Sequence, residues 1–304
     1  MQKLLMMNAP PETASTLQDA LQRAALRLRQ AGIENSRFEA GVLLAYILGV
    51  SREHVLLHAA QFLADSEEAQ FMALVERRCH REPMAYLTGH REFWSLEFAV
   101  NPHVLIPRPE TEGIIEQLIR IAGDAASEKE LSILDLGTGS GILAVTAAVE
   151  FPRARVTATD VSADALSVAR GNARHHGVAN RMEFLQRDMM GDDGWPQPAG
   201  YDFILSNPPY IPTADLDGLM PDIRDYEPPG ALDGGPDGLI FYRNMIPRVL
   251  EGLKPGGSLI LEVGDGQAGA VADLIEGQTG FDKIAIHQDL SGTGRIVSAR
   301  RAYG

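Results

Sequence analysis

Hydrophobic positions change their period along the chain. Up to about residue 82 they recur at helical spacing. Leu17, Leu21, Ala24 and Leu28 follow Thr16-x-x-Asp19, a capping-box pattern, and stop at Gly32. Ser36-x-x-Glu39 opens a second predicted helix, with Phe38, Val42 and Tyr46 on one face and Gly49 at its end. Ser51 begins a third, carrying Val55, Leu56 and Leu57. Asp65-x-x-Glu68 opens a fourth, running through Leu74 and Val75 to Pro83. Short amphipathic helices with brief connections predict a small bundle over residues 1–82. Residues 83–106 are β-rich: Tyr86–Gly89 and Phe93–Val100, bracketed by Pro83 and Pro102, predict a hairpin linker. Pro109 then suits the first turn of a helix running to about 122.

From residue 131 strand and helix patterns alternate. Strands are predicted at Leu131–Leu136, Arg155–Thr159, Met182–Gln186, Tyr201–Ser206, Ser258–Val263, Lys283–Gln288 and Arg295–Ala302. Helices are predicted at Gly141–Glu150, Ala163–His176, Leu239–Leu253 and Ala268–Gln278. This alternation predicts an α/β domain over 107–304: a doubly wound, mostly parallel, seven-stranded Rossmann-like sheet.

Composition narrows the class. The 304 residues are 45% hydrophobic and 22% charged, which are globular values. The single cysteine, Cys79, forms no intramolecular disulfide and supplies no cysteine-based metal site; no metal is expected. His54, His58, His80 and His90 lack companions at ligand spacing. No apolar run reaches a membrane span of about 18 residues, and the first 15 residues, broken by Pro10 and Pro11, do not read as a signal peptide. A cytoplasmic protein that touches no membrane is expected. The net charge is −14, and residues 186–240 carry 11 acidic residues against Arg187 and Arg224. Such a balance opposes a phosphate backbone, whose binding needs cations that displace counterions, and it would welcome basic partners.

Four motifs carry chemistry. In Ile133-Leu-Asp-Leu-Gly-Thr-Gly-Ser-Gly141 an apolar strand ends in a glycine-rich turn that opens a helix. Ligands of open α/β sheets bind at such strand ends. The third glycine comes one residue too early for the dinucleotide fingerprint, and Asp135 sits badly beside a pyrophosphate. A carboxylate there suits an ammonium or sulfonium, which favours S-adenosylmethionine over NAD. Asp160 ends the next strand and is placed to accept from both ribose hydroxyls, with Ser162 free to cap the following helix. Asp188 and Met189, after the third strand, are placed at the adenine. Ser206-Asn-Pro-Pro-Tyr-Ile211 follows the fourth strand. Its prolines fix φ and leave carbonyl acceptors, Asn207 adds a side-chain carbonyl, and Tyr210 a flat aromatic face. Two acceptors and an aromatic plate make a holder for a planar –NH2.

These residues resemble a known family. D-L-G-T-G-S-G followed by N-P-P-Y is similar to the signature pair of class I S-adenosylmethionine-dependent methyltransferases acting on planar nitrogens, adenine N6 or glutamine N5. P-x-x-Y-L-T-G-x-x-E-F at 83–93, P-R-P-E-T-E at 107–112 and Tyr226-Glu-Pro-Pro-Gly-Ala-Leu-Asp-Gly-Gly-Pro-Asp-Gly238 resemble the peptide-chain release factor N5-glutamine methyltransferases (HemK/PrmC-type) over essentially the whole chain. Tyr226 departs from the family's usual phenylalanine, and Met189 stands where relatives often have tryptophan. The resemblance implies a methyltransferase sheet with Gly137, Thr138, Gly139, Ser140, Gly141, Asp160, Asp188, Met189 and Asn207 at the cofactor. It implies Asn207, Pro208, Pro209 and Tyr210 at the substrate amide, with Asn207, Pro208 and Tyr210 as the catalytic set. The implied substrate is the glutamine of the Gly-Gly-Gln motif in release factors, with the N-terminal bundle helping to dock that protein to a monomeric enzyme. The alternative is an adenine-N6 methyltransferase on DNA or RNA, which would need a flipped base and a cationic track. The acidic segment argues against it.

Overall fold

The computed structural model describes residues 15–123, 128–191, 195 and 200–303. The N-terminal stretch expected to be no leader, and Asp192 and Asp193 of the acidic segment, lie outside the described residues. The chain divides into two compact units between Thr88 and Gly89, rather than at 82. Among the described residues no helix is long and apolar enough to cross a membrane.

The first unit holds α1 (Leu17–Gln30), α2 (Ser36–Leu48), α3 (Arg52–Leu57), α4 (Asp65–Cys79) and α5 (Met84–Thr88). Thr16 and Asp19 form the expected capping box. The other two helix openings differ from expectation. α2 begins after Asn35, whose side chain makes no capping bond, and Glu39 pairs instead with the buried guanidinium of Arg78. In α4 it is Glu67, not Glu68, that accepts from the capping residue's N–H, and the helix stops at Cys79. The expected Phe38–Val42–Tyr46 face is not the inner one. Phe38 is 54% and Tyr46 45% exposed, while Ala40, Leu43 and Leu44 are buried against Leu17, Leu28, Phe71 and Val75. On α3 only Val55 is buried; Leu56 and Leu57 are exposed. Residues 84–88, read as β, are helical. Pro83 O accepts from the N–H groups of Tyr86 and Leu87, and Leu87 joins the core of this unit. Burial overrides the β-propensity of Tyr and Thr here.

In the second unit the hairpin is β1 (His90–Phe93) and β2 (Leu96–Ala99), paired antiparallel. Then come α6 (Glu112–Ala122), β3 (Ser132–Leu136), α7 (Ile142–Glu150), β4 (Arg155–Asp160), α8 (Ala163–His175), β5 (Met182–Gln186) and β6 (Tyr201–Ser206). The four-residue α9 (Pro221–Arg224), α10 (Ile240–Gly252), β7 (Leu253–Glu262), α11 (Ala268–Glu276), β8 (Phe281–Gln288) and β9 (Gly294–Arg301) complete it. The seven-stranded sheet has the order β5-β4-β3-β6-β7-β9-β8, parallel except for β9. Cores lie on both faces. One gathers Ile114, Ile115 and Leu118 of α6 with α7 and the hairpin's Phe93 and Phe98. The other gathers Tyr242, Met245 and Val249 of α10 with Val271 and Ile275 of α11.

Strand order reverses at β3, whose neighbours are β4 and β6. A ligand crevice forms at such a switch point. The register is in step: Leu136 faces Thr159 on one side and Ser206 on the other. The turns after β3, β4 and β6 therefore leave the sheet side by side. Asn172 of α8 fixes the hairpin to this edge. It is 1% exposed, accepts from Ala99 N, and donates to Ala99 O and Ser140 O. Asn172→Ala strands an N–H and two carbonyls, each costing roughly 1–3 kcal/mol when left buried without a partner. A stability loss of at least ~2 kcal/mol in denaturant unfolding is expected; a loss within ~0.5 kcal/mol would mean that water replaces all three bonds.

Candidate functional site

The turn after β3 is built by three left-handed glycines, Gly137 (φ 72°), Gly139 (φ 55°) and Gly141 (φ 86°), in a region that costs other residues about 1–2 kcal/mol. Thr159 O takes the N–H groups of both Gly137 and Thr138, tying the turn to β4. Gly141 caps α7, and a Cβ there would stand 3.1 Å from Ala169 Cβ. A Cβ on Gly139 would meet nothing within 4 Å, so this face of the turn is open to a ligand.

Asp135 is fully buried beneath the turn. Its Oδ2 accepts from Thr138 Oγ1 at 2.6 Å, and its Oδ1 has no partner. Burial pushes the carboxyl up to about 7, against the hydrogen bond from Thr138. Asp135 thus acts from behind, by holding Thr138, rather than at the cavity wall beside a ligand's positive charge. Asp160 reaches back from the end of β4. Its two oxygens accept from Gly139 N and Ser162 N, each at 2.9 Å, and burial raises its pKa. Ser162, as expected, caps α8 through Ala165 N.

A cavity of about 500 Å³ opens here, within the usual range for small-molecule sites. Gly137, Thr138, Gly139, Ser140, Asp160, Asp188, Met189, Asn207 and Pro209 line it. Gly141, Pro208 and Tyr210, also singled out from the sequence, are not among the lining residues. The far wall was not foreseen: Pro107, Arg108 and Thr111 from the P-R-P-E-T segment, and Pro228, Gly230 and Ala231 from the E-P-P-G-A segment. Those two segments are joined by Glu227, 3% exposed, which accepts from Ile106 N and pairs with Arg108.

The N-P-P-Y turn is gripped from three sides. Asn207 Nδ2 donates to Thr111 Oγ1 at 3.1 Å. An asparagine amide with its NH2 engaged turns its carbonyl the other way. The Tyr210 hydroxyl donates to Glu262 at 3.3 Å, and Tyr210 O accepts from Gln267 Nε2 at 2.9 Å. Gly234 and Gly238 press on the Tyr210 backbone. A Cβ on Gly234 would lie 2.7 Å from Tyr210 Cα, and one on Gly238 would lie 2.3 Å from Tyr210 O. Thr111, Glu262 and Gln267 were missed because each lies far in sequence from the turn. The one signal for Glu262 is an acid ending an apolar strand, Leu259-Ile-Leu-Glu262.

A model of the PrmC N-terminal domain matches residues 19–89, and a model of the methyltransferase small domain matches residues 121–218. A release factor glutamine methyltransferase of Geobacter sulfurreducens is 42% identical over 274 residues, covering 90% of this chain and 92% of its own. One of Moorella thermoacetica is 42% identical over 286 residues, covering 94% and 99%. The chain belongs to the release factor glutamine methyltransferase family. Its fold is shared with the hMettl16 catalytic domain solved in complex with the MAT2A 3′UTR hairpin 6 (TM-score 0.52, 13% identity, 81% of this chain and 85% of that one).

The site fits the family's methyl donor, S-adenosylmethionine. The open position at Gly139 admits a ligand against the backbone. The carboxylate of Asp160 lines the cavity with both oxygens held by N–H groups. This wall suits hydroxyl donors and a cation. Gly234→Ala tests the grip on the N-P-P-Y turn, since its Cβ meets backbone rather than a flexible side-chain end. Methyl transfer is expected to fall at least ~10-fold, as misplacement of a reacting group by about 1 Å costs up to ~100-fold. Binding of the methyl donor, measured by calorimetry, should change much less.

Proposed function

We propose that this enzyme transfers a methyl group from S-adenosylmethionine to the side-chain amide nitrogen of the glutamine in the Gly-Gly-Gln motif of peptide-chain release factors. The observation that supports the amide-holding part of this reading is Asn207: its NH2 donates to Thr111, which leaves its carbonyl as an acceptor on a residue that lines the cavity.

When bound, S-adenosylmethionine supplies an electrophilic methyl on a sulfonium. Gly137, Thr138, Gly139 and Ser140 would hold its methionine end, and Gly141 shapes the turn. Asp160 would accept from the ribose hydroxyls, and Asp188 and Met189 would edge the adenine. A substrate amide nitrogen is a poor nucleophile because its lone pair is delocalised. Asn207 Oδ1 and the Pro208 carbonyl would accept its two N–H bonds, which fixes the amide plane so that the lone pair, perpendicular to it, faces the methyl donor. The same acceptors stabilise positive charge growing on the nitrogen, in a place already set before reaction. Pro209 and Tyr210 would bound the planar group. No side chain needs to act as a general base, since the proton leaves after transfer.

The segment carrying Asp215, Asp217, Asp225 and Asp237 follows this turn, and all four are exposed. That charge supports a protein acceptor over a nucleic-acid one. We assign the helical unit to docking the release factor, on the exposure of Leu56, Leu57 and Phe62, and the enzyme to the cytoplasm, as a monomer.

The decisive experiment offers methyl-labelled S-adenosylmethionine with a purified release factor or with duplex DNA. Label in the release factor, lost when the Gly-Gly-Gln glutamine is replaced, is the expected outcome; label in DNA alone overturns the substrate. Asn207→Ala should lower kcat by ~100-fold or more, the scale for removing one preorganised contact at a developing charge. Affinity for the methyl donor should stay within ~3-fold. Retained turnover would remove the amide-holder account. Leu56→Glu with Leu57→Glu should raise KM for the release factor and leave donor affinity untouched; an unchanged KM would place docking elsewhere.

A further inference from the structure

Both polar side chains of the N-P-P-Y turn lead to one buried carboxylate. Thr111, fully buried, accepts from Asn207 Nδ2. Its own hydroxyl acts on Glu262, whose pKa it lowers. The Tyr210 hydroxyl donates to Glu262 Oε1. Glu262 is 2% exposed, and its Oε2 has no partner. Burying a carboxylate this incompletely paired is costly. Nothing in the packing of β7 requires one: Leu259, Ile260, Leu261 and Val263 around it are fully buried and apolar.

The chain of bonds has a polarity. An ionised carboxylate only accepts, so toward Glu262 the Thr111 hydroxyl can act only as a donor. The Thr111 oxygen is then left as an acceptor, and it selects the NH2 side of the Asn207 amide. Asn207 Oδ1 faces the cavity as a consequence. If Glu262 carries a proton it can donate to Thr111 instead. Thr111 then donates to Asn207, the amide reverses, and an NH2 meets the substrate's NH2. Orientation of the two nearly isosteric ends of Asn207 therefore depends on a group that never touches the substrate.

We propose that Glu262 is the positioning residue of this site, fixing the Asn207 amide with its oxygen toward the substrate through Thr111 and holding the far end of the turn through Tyr210. The proposal rests on the methyl-transfer reading above. The groups facing Glu262 are Tyr210, Thr111, Glu110, Arg295 and the Tyr242 hydroxyl. Burial is the main cause that lifts its carboxyl to about 7, with Glu110 adding and Arg295 opposing.

The test compares wild type, Glu262→Gln, Thr111→Val and Thr111→Ser on release factor with saturating donor. Wild-type kcat is expected to rise with pH through about 7, as Glu262 ionises. Glu262→Gln should lose that step and lie ~10-fold or more below the wild-type plateau, on the scale of outer-shell partners that orient ligating groups. KM and donor affinity should move less than ~3-fold. Thr111→Val should match it and Thr111→Ser should recover. Since the folded pKa is raised, the carboxylate's contribution to stability is lost between about 4 and about 7 as pH rises. Glu262→Gln should therefore melt higher than wild type at mildly alkaline pH, whereas a merely structural acid would lose stability along with activity. The side-chain amide ¹⁵N–¹H signals of Asn207 in the enzyme alone should titrate near 7 in wild type and stay flat in Glu262→Gln. This readout is independent of the acceptor: an inactive wild type with a normal Asn207 titration sinks the release-factor reading alone. Wild-type kcat and pH profile in Glu262→Gln, or a flat Asn207 signal in wild type, sinks the role of Glu262.

Discussion

The site depends on the parallel hydrogen-bond register of three strands. Leu136 lies opposite Thr159 and Ser206, so β3, β4 and β6 end in one row. A one-residue slip would turn every side chain to the other face of the sheet. It would also separate the glycine turn, Asp160 and Asn207, which become neighbours only through this alignment. The register is locked at the row itself. Gly137 and Thr138 both donate to Thr159 O, and Ser206 Oγ donates to Leu136 O at 2.7 Å. Fully buried apolar residues on both faces, Ile133 and Leu134 among them, leave no alternative register in which the cores close.

Around that row the protein holds acids where an apolar chain would be more stable. Asp135, Glu227 and Glu262 are each at most 3% exposed. They differ in how far they are compensated. Glu227 is satisfied by Arg108 and the Ile106 N–H, and it serves as a clasp between two segments of the cavity wall. Asp135 and Glu262 each keep one oxygen without a partner, and burial raises both. Each sits one layer behind a hydroxyl, Thr138 or Thr111, that lines the cavity. The arrangement places charge close to the reacting groups without exposing it to them, a stability cost of the kind functional sites carry.

Much of this could be read from the chain. The period of apolar residues gave the helical unit, the seven strands and their parallel alternation, because both readings rest on local geometry. The glycine turn, Asp160 and Asn207 were legible because each closes a predicted strand. Failures came where tertiary contacts override local signals. Residues 84–88 are helical because Leu87 is needed in the helical core. Phe38 and Tyr46 look like a buried stripe, yet the smaller Ala40, Leu43 and Leu44 fill the inside. Glu39 fits a capping pattern but is taken by Arg78, 39 residues away. Pro208 and Tyr210 belong to the turn but do not line the cavity, since position in a motif does not say which residue faces the cavity and which faces its support. The supports themselves lie 96 residues from Asn207, at Thr111, and 52 from Tyr210, at Glu262. No pattern of local spacing reports such a pairing.

Rigidity of the N-P-P-Y turn follows from the chemistry demanded of it. Asparagine's oxygen and nitrogen ends differ little in shape, so packing alone does not choose between them; only the polarity of a hydrogen bond does. The prolines lack N–H groups that could compete for the same acceptors. Gly234 and Gly238 let a second loop lie directly on the Tyr210 backbone, closer than any side chain would permit. Gln267 spans the remaining gap, accepting from Gly264 N and donating to Tyr210 O. Backbone, aromatic ring and amide are each held by a different element, and in the proposed reaction that grip would keep Asn207 Oδ1 on its line. An acceptor that stays in place before and during reaction adds no reorganisation to the barrier, and for a nucleophile as weak as an amide nitrogen that is the term a protein scaffold can remove.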